Sequence, residues 1–187
     1  MNVISPPSMD RRAFLAWIEG REGRYELAKG RVVMMTGGSR GHALVVRRLA
    51  NALEKRLNAA QWTVLTSDFA ANVGADTVRY PDVIVDKAGG RLDDLTATSP
   101  VLIAEVLSPS SVTNDLGDKA TDYLHLLSLN AYLVLSQDEP KAWFWVRDES
   151  GFTAGSEVVA GEDGVIRIPA LSIDLPLSEI YAGLVPN

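Results

Sequence analysis

Two carboxylates in the chain occupy positions where packing alone does not call for an acid. Asp82 follows a proline at the start of the apolar run 83–85, and Glu105 lies inside the most hydrophobic stretch, 101–107. A buried carboxylate is costly unless it is ion-paired, hydrogen-bonded or bound to a metal. If the two stretches are neighbouring strands, both side chains can converge on one point. Two carboxylates, a backbone carbonyl and several waters would then make a reasonable octahedral site for Mg²⁺.

Each of these acids also has an ordinary structural interpretation. Taken singly, Asp82 is more typical of a turn or cap residue after Pro81, because aspartate bonds readily to the nearby backbone. Glu105 could be the buried partner of an arginine or a lysine in a structural ion pair. The chemical interpretation therefore depends on the pair and on the residues that follow it.

The segment after the apolar stretch adds a lysine at a suitable spacing. Asp115, Lys119 and Tyr123 recur every four residues, so a helix would place them on one face. The Lys119 ammonium could then reach the acids, orient or deprotonate a water, and stabilise charge developing on a phosphate. The alternative is an exposed Asp115–Lys119 helix pair, which contributes only about a few tenths of a kcal/mol. Spacing alone favours that alternative.

The composition limits the classes of protein to which the chain can belong. Its 187 residues, 47% of them hydrophobic, predict one well-buried domain. The lack of cysteine excludes disulfides and suits a reducing cytosol, so a cytoplasmic protein is expected. No stretch approaches the roughly 20 apolar residues that cross a bilayer. The net charge of −6 argues against tight, sequence-independent DNA binding, although carboxylates clustered around a bound cation would contribute to it.

Apolar periodicity predicts a mixed order of helices and strands. Helices are expected after Asp10, from His42 and over 114–127, and the helix from His42 has a basic edge formed by Arg47, Arg48, Lys55 and Arg56. A hairpin is expected over 25–28 and 31–35, and further strands over 62–66, 69–73, 83–85, 101–107, 131–135 and 142–146. Trp143 and Trp145 in the last strand are expected to pack in the core or an interface. This order favours a mixed α/β or α+β domain.

In combination, the candidate residues resemble a known family. The residues that carry the resemblance are Pro81-Asp82, Glu105-Val106-Leu107-Ser108-Pro109-Ser110, Asp115, Lys119 and Tyr123. Together they resemble the pattern of the Uma-type family of proposed restriction endonucleases. That family in turn resembles the PD-(D/E)xK nuclease superfamily. Tyr25-Glu26-Leu27, Gly30 and His42 add to the match. The resemblance extends over residues 17–146, which is most of the chain.

The resemblance implies an α/β (α+β) fold with a restriction-endonuclease-like core, a mixed β-sheet flanked by helices. It implies a single domain over 1–187, with the core at about 41–147, an N-terminal helix and hairpin, and a C-terminal β extension. Carried over residue by residue, it implies that Asp82 and Glu105 bind Mg²⁺ or Mn²⁺. The Val106 carbonyl would be a further ligand or would hold a water.

One position departs from the pattern of the wider superfamily. The lysine expected two residues after the glutamate is Leu107 here, and the Uma-type pattern implies that Lys119 replaces it from the following helix. Glu26 resembles an acid that some superfamily members contribute from an N-terminal element, but a strand residue paired with an arginine or lysine is an equally good interpretation. His42 is expected to form hydrogen bonds at the start of its helix, at the rim of the site.

These features predict a metal-dependent endonuclease that hydrolyses DNA phosphodiester bonds, with the catalytic residues Asp82, Glu105, Lys119 and Glu26. Related nucleases pair two sites to cut two strands, so a homodimer is expected. The acidic charge and the displaced lysine leave an alternative, an inactive nuclease-fold module that binds nucleic acid or a protein partner. Ser108 and Ser111 have no base and acid arranged for nucleophilic catalysis, so a serine hydrolase is a poor fit.

Overall fold

The structure, a computed structural model, describes residues 8–108 and 114–184. Its helices are α1 (Arg11–Ile18), α2 (Arg40–Glu54), α3 (Lys119–Leu124) and α4 (Leu177–Tyr181), with a π-helical turn at Asn114–Asp118 and a 3₁₀ turn at Pro169–Leu171. Its strands are β1 (Tyr25–Ala28), β2 (Arg31–Met34), β3 (Trp62–Thr66), β4 (Ala70–Asn72), β5 (Val78–Arg79), β6 (Val83–Lys87), β7 (Thr96–Ala97), β8 (Leu102–Leu107), β9 (Ala131–Ser136), β10 (Lys141–Asp148), β11 (Gly151–Phe152), β12 (Glu157–Ala160), β13 (Val165–Ile168) and β14 (Ile173–Pro176).

A seven-stranded sheet forms the centre of the described part of the chain. Its strands follow the order β11-β10-β9-β8-β6-β3, and β12 pairs with β10 beside this path. Strand β8 is parallel to β9 and antiparallel to β6, so the sheet is mixed. Every residue of β8 and β9 is buried, as expected of strands that are covered on both faces.

Alternating side chains of this sheet build two separate hydrophobic clusters. Ala104 and Val106 of β8 pack in the cluster that contains α2 and α4. Ile103 and Leu107 pack in the other cluster, which contains residues of α3. Because side chains alternate along a strand, Glu105 faces the second cluster and therefore α3.

Helix α2 packs a stripe of apolar residues against the sheet, and its N-terminus is capped. The stripe consists of Val45, Val46, Leu49, Ala50, Ala52 and Leu53. The Ser39 hydroxyl oxygen accepts a hydrogen bond from the His42 backbone N at 3.1 Å. The helix therefore begins at Arg40, slightly before the predicted start, and Ser39 is its cap.

The N-terminal hairpin belongs to a smaller sheet with the strand order β2-β1-β5-β4-β7. The predicted turn at Lys29 and Gly30 is present, with positive φ angles of 50° and 77°. Leu27 of β1 is fully buried and packs in one cluster with Phe14 of α1. This packing fixes the strand that carries Glu26.

The aromatic strand β10 packs in the core, as the sequence predicts. Trp145 is buried and stacks on Tyr132, with ring centroids 5.4 Å apart. Trp143 is partly buried, and the Lys141 ammonium lies 4.8 Å from the centre of its ring. These rings are therefore packing residues and not exposed platforms for bases.

The predicted mixed α/β class is confirmed, but the helix predicted over 114–127 has a different form. A π-helical turn covers Asn114–Asp118, and α3 ends at Leu124. Such π turns are rare and occur often at functional sites. Residues 109–113, which include Ser111 and part of the family motif, lie outside the described residues. Within the described ranges, no helix has the length and hydropathy that a membrane span requires.

Candidate active site

The register of the central sheet brings Asp82 and Glu105 together. Val83 of β6 pairs with Ala104 of β8, so Asp82 lies opposite Glu105 on the neighbouring strand. Asp82 Oδ2 accepts a hydrogen bond from the backbone N of Val106 at 2.8 Å. Because this bond crosses from one strand to another, Asp82 does more than cap a local turn.

Lys119 reaches Glu105 from the face that α3 covers. Lys119 Nζ lies 2.9 Å from Glu105 Oε1, and the Tyr123 hydroxyl donates to the same oxygen at 2.9 Å. Asp115 Oδ1 lies 3.4 Å from the same ammonium, and the side chains of Asp115 and Lys119 are only 3% and 8% exposed. The interpretation of this pair as an exposed helix pair is therefore wrong.

The position of Lys119 also accounts for Leu107. Leu107 is two residues after Glu105 and so points to the same face of the sheet. It packs there with Ala120 and Tyr123 of α3. A lysine is thus absent from the strand, but the neighbouring helix delivers an ammonium to the same carboxylate.

Glu26 joins the cluster from β1. Its Oε2 accepts a hydrogen bond from Arg79 Nη1, and its Oε1 accepts one from the Tyr80 backbone N, both at 3.1 Å. Glu26 Oε1 also lies 3.7 Å from Lys119 Nζ. Both sequence interpretations of Glu26 therefore describe part of its surroundings, since it pairs with an arginine and also lies against the acid cluster.

His42 contacts Asp82 from the N-terminal end of α2. Its Nε2 lies 3.1 Å from Asp82 Oδ2, so the side chain is part of the site and not only of its rim. The hydrogen bond with Asp82 is the main reason why the pKa of His42 is raised, and the Asp82 charge adds to it, while burial opposes it.

The buried cluster contains more carboxylates than ammonium groups. Burial raises the pKa of Glu105 to about 8, and the charges of Asp82, Asp115 and Glu26 add to the rise, although Lys119 opposes it. Burial disfavours the charged form of Lys119, but Glu105, Glu26 and Asp115 outweigh burial and raise its pKa. Lys119 is therefore protonated, and the excess of negative charge favours a further cation.

The acids open into a cleft of about 260 Å³. Glu26, Asp82, Glu105 and Lys119 line it on the inner side. Met34 of the N-terminal hairpin lines it as well and is 65% exposed. A ligand that enters this cleft therefore passes an apolar edge and meets a charged, largely buried interior.

The donor atoms of the site fit a hard divalent cation. Within the described ranges, the hydrogen bonds to Asp82 and Glu105 reach Oδ2 and Oε1, which leaves Oδ1 and Oε2 as candidate ligands. The Val106 carbonyl points to the same side of the strand as its N–H, towards Asp82. No three His, Asp or Glu side chains of the described residues form a metal-binding group, so waters would complete a coordination shell of oxygens.

Sequence reasoning missed two residues of this cluster. Arg79 is buried, and its guanidinium bridges Glu26 and Asp122, with Arg79 Nη2 2.7 Å from Asp122 Oδ2. Asp122 resembles an ordinary polar helix residue in the sequence, and a single arginine before a Tyr-Pro pair carries no distinctive signal. The pairing of β1 with β5 brings Arg79 to the site, where it meets Asp122 of α3.

The chain is similar to proteins from two organisms. It is 26% identical over 181 residues to an uncharacterized protein of Synechocystis sp., a match that covers 95% of this chain and 94% of that protein. A second uncharacterized Synechocystis protein is 28% identical over 116 residues, 60% of this chain and 66% of that protein. A crystal structure from Anabaena variabilis, described as "a putative nuclease belonging to DUF820", has a TM-score of 0.73 at 15% identity and covers 95% of this chain and 99% of that chain. This likeness confirms the predicted fold class.

The comparison with protein families agrees with the resemblance found in the sequence. Residues 11–178 match the family Uma2, whose description is "Putative restriction endonuclease". The match includes every residue of the buried cluster, namely Glu26, Arg79, Asp82, Glu105, Asp115, Lys119, Asp122 and Tyr123. The likeness to the Anabaena variabilis structure shows the fold, and the family match shows that the chain belongs to the Uma2 family of proposed restriction endonucleases.

Proposed function

We propose that this chain is a metal-dependent endonuclease that hydrolyses DNA phosphodiester bonds, with Mg²⁺ or Mn²⁺ held by Asp82 and Glu105. The observation that carries the proposal is the buried cluster in which these acids lie side by side and Lys119 Nζ lies 2.9 Å from Glu105 Oε1. The family and the fold support the nuclease class. The carboxylate oxygens support the choice of a hard cation.

A divalent cation at the two carboxylates would polarise the scissile phosphate and lower the pKa of the attacking water. Lys119 acts as a hydrogen-bond donor and a positive charge and not as the base, because the surrounding carboxylates keep it protonated. From its place beside Glu105 it orients a water or a phosphate oxygen and offsets the negative charge that develops in the transition state.

Three further residues position this machinery. Tyr123 donates to Glu105 and restricts its rotamer. Glu26 approaches the Lys119 ammonium from strand β1, and Arg79 holds Glu26 in place. A carboxylate and an ammonium that are each held by several partners are pre-organised, which is what transition-state stabilisation requires.

Nicking of supercoiled plasmid in Mg²⁺ or Mn²⁺ tests the proposal. Nicking should be lost in Asp82→Ala, Glu105→Ala and Lys119→Ala, and also in Asp82→Asn and Glu105→Gln, which keep the side-chain shape. Asp86→Asn is a matched control: Asp86 is a buried acid on β6 whose oxygens accept from the backbone N of Thr98 and Ser99. Equal nicking by the wild type and all the Asp82, Glu105 and Lys119 variants would contradict the assignment.

A second function, that of a nuclease-fold module that binds nucleic acid or a protein partner without cleavage, is favoured by Leu107, which stands where the wider superfamily has a lysine. Labelled DNA that is bound by the wild type but nicked no faster than by Asp82→Asn would support this alternative. Faster nicking by the wild type excludes it.

We also propose a homodimer, since one active site cuts one strand and isologous pairs are the commonest oligomers. Size-exclusion chromatography with light scattering should give twice the chain mass of 20.2 kDa. A monomer at micromolar concentration would contradict this proposal and leave the metal site untouched.

A further inference from the structure

A second groove opens on the other side of Asp82, between α2 and β3. Its volume is about 470 Å³, larger than the 260 Å³ of the acidic cleft. Arg24, Gly38, His42 and Asp82 line both hollows. The groove and the cleft therefore meet at Asp82, and a polymer bound at the acids can continue from one into the other.

Short side chains, several of them polar, form much of the walls of this groove, together with Val46 and Val64. Ala43 and Asn51 line it on α2, and Thr66 and Ser67 line it at the end of β3. Short side chains allow the backbone of a ligand to approach closely. The hydroxyl and amide groups can donate hydrogen bonds to phosphate oxygens, which are the commonest contacts of proteins to nucleic acids.

Most of the basic edge that the sequence predicts on α2 is used inside the protein. Arg48 Nη1 donates to the Ala182 backbone O at 2.6 Å, and Lys55 and Arg56 both approach the Glu179 carboxylate. These contacts hold the C-terminal segment against α2. They also explain why the basic edge as a whole is not available to a ligand.

Arg47 is the basic residue of this edge that lines the groove. It is exposed, and within the described ranges its side chain forms no ion pair. Arg24 supplies a second cation where the groove meets the cleft, because its Nη2 donates to the Ser67 backbone O at 2.7 Å. The Arg24 side chain is 44% exposed and lies 3.8 Å from Asp68, so it remains accessible.

We propose that this groove holds the phosphodiester backbone of the nucleic-acid strand next to the cleavage point, with Arg47 and Arg24 bound to its phosphates. The inference rests on the proposed function, because it states where the substrate of the acidic cleft continues. It also reconciles a net charge of −6 with nucleic-acid binding, since the cations lie where the backbone passes and need not cover the surface. Glu54, which lines the same groove, opposes binding.

The salt dependence of DNA binding tests this groove. A fluorescein-labelled DNA duplex is titrated in Ca²⁺, at several NaCl concentrations, with the wild type, Arg47→Ala and Glu54→Gln. Arg47→Ala should bind more weakly, and its plot of log affinity against log salt should be shallower by about 1, the value for one lost phosphate contact. Glu54→Gln should bind more tightly than the wild type.

Two controls change the net charge by the same amounts elsewhere. Arg167→Ala and Glu157→Gln lie by a hollow beside β10 and β12, at the opposite edge of the large sheet from β3. Both should bind DNA as the wild type does. All five proteins should bind Mn²⁺ equally in a calorimetric titration, because none of the changes touches Asp82 or Glu105.

The outcomes separate the groove from the proposed function. A shallower salt dependence in Arg47→Ala alone, together with tighter binding by Glu54→Gln, supports the groove. Identical salt dependence in all five proteins overturns the groove and leaves the nuclease proposal standing. No salt-dependent binding by the wild type overturns the proposed function, and the groove with it.

Discussion

Replacing Lys119 with methionine should destabilise the metal-free protein far more than the loss of a surface ion pair. The ammonium lies 2.9 Å from Glu105, 3.4 Å from Asp115 and 3.7 Å from Glu26, and all four side chains are at most 8% exposed. Methionine keeps the length and the apolar stem, so little cavity forms. The carboxylates lose their shared cation, and breaking a buried pair costs about 3–5 kcal/mol.

Urea denaturation in EDTA measures this cost. A loss of about 4 kcal/mol with an m-value of about 2 kcal/mol per molar lowers the midpoint by about 2 M. Lys29→Met is the matched control, because Lys29 Nζ lies 3.1 Å from Asp118 but both side chains are about two-thirds exposed (68% and 66%). Its change in stability should fall between about 0 and 1 kcal/mol. A Lys119→Met variant as stable as Lys29→Met would refute the reasoning.

The same comparison has a defined pH dependence. The folded state raises the pKa of Glu105 to about 8, whereas an unfolded glutamate titrates at about 4.3. The folded protein therefore binds this proton more tightly, and stability falls as the pH rises from about 4.3 to 8. Lys119 opposes the rise in this pKa, so Glu105 stays protonated to a higher pH in Lys119→Met, and the penalty of the substitution should grow as the pH rises above about 8. A penalty that shrinks with rising pH would contradict the charge cluster.

Two further predictions concern the elements that support the site. Ser39→Ala removes the oxygen that accepts from the His42 backbone N and should cost about 1 kcal/mol in thermal or urea unfolding, whereas Ser39→Asp should restore the wild-type value. Arg56 lowers the pKa of Glu179, so this pair stabilises the protein above the ordinary carboxyl pKa and its contribution is lost as the pH falls. Glu179→Gln should therefore be less stable than the wild type at pH 7 and equally stable in acid; a difference that persists in acid would contradict this.

The acid pair could be identified from the sequence because each acid interrupts a local pattern. Glu105 lies within a run of apolar residues, and Asp82 directly precedes another. The register then follows from strand pairing, since Val83 opposite Ala104 leaves the two acids adjacent. The role of Lys119 needed the family resemblance, because spacing alone also fits an exposed helix pair.

The rest of the cluster depends on contacts between distant segments, which local patterns do not encode. Arg79 reaches Glu26 because β5 pairs with β1, 53 residues apart in the chain. The π-helical turn before α3 also escaped prediction, because the apolar spacing of 114–127 is compatible with an ordinary α-helix. The groove beside α2 also could not be found without the structure. Three of the four cations that the sequence predicts on the basic edge of α2 are bound to the C-terminal segment, and only the fourth, Arg47, lines the groove.

Calorimetric titration with Mn²⁺ tests the proposed metal site most directly. The wild type and Asp86→Asn should bind Mn²⁺, and Asp82→Asn and Glu105→Gln should lose that binding. Lys119→Met should bind Mn²⁺ at least as tightly as the wild type, because it removes a positive charge beside the ligands. A wild-type protein that binds no Mn²⁺ at millimolar concentration, or binding that is equal in all these proteins, would contradict a metal site at Asp82 and Glu105.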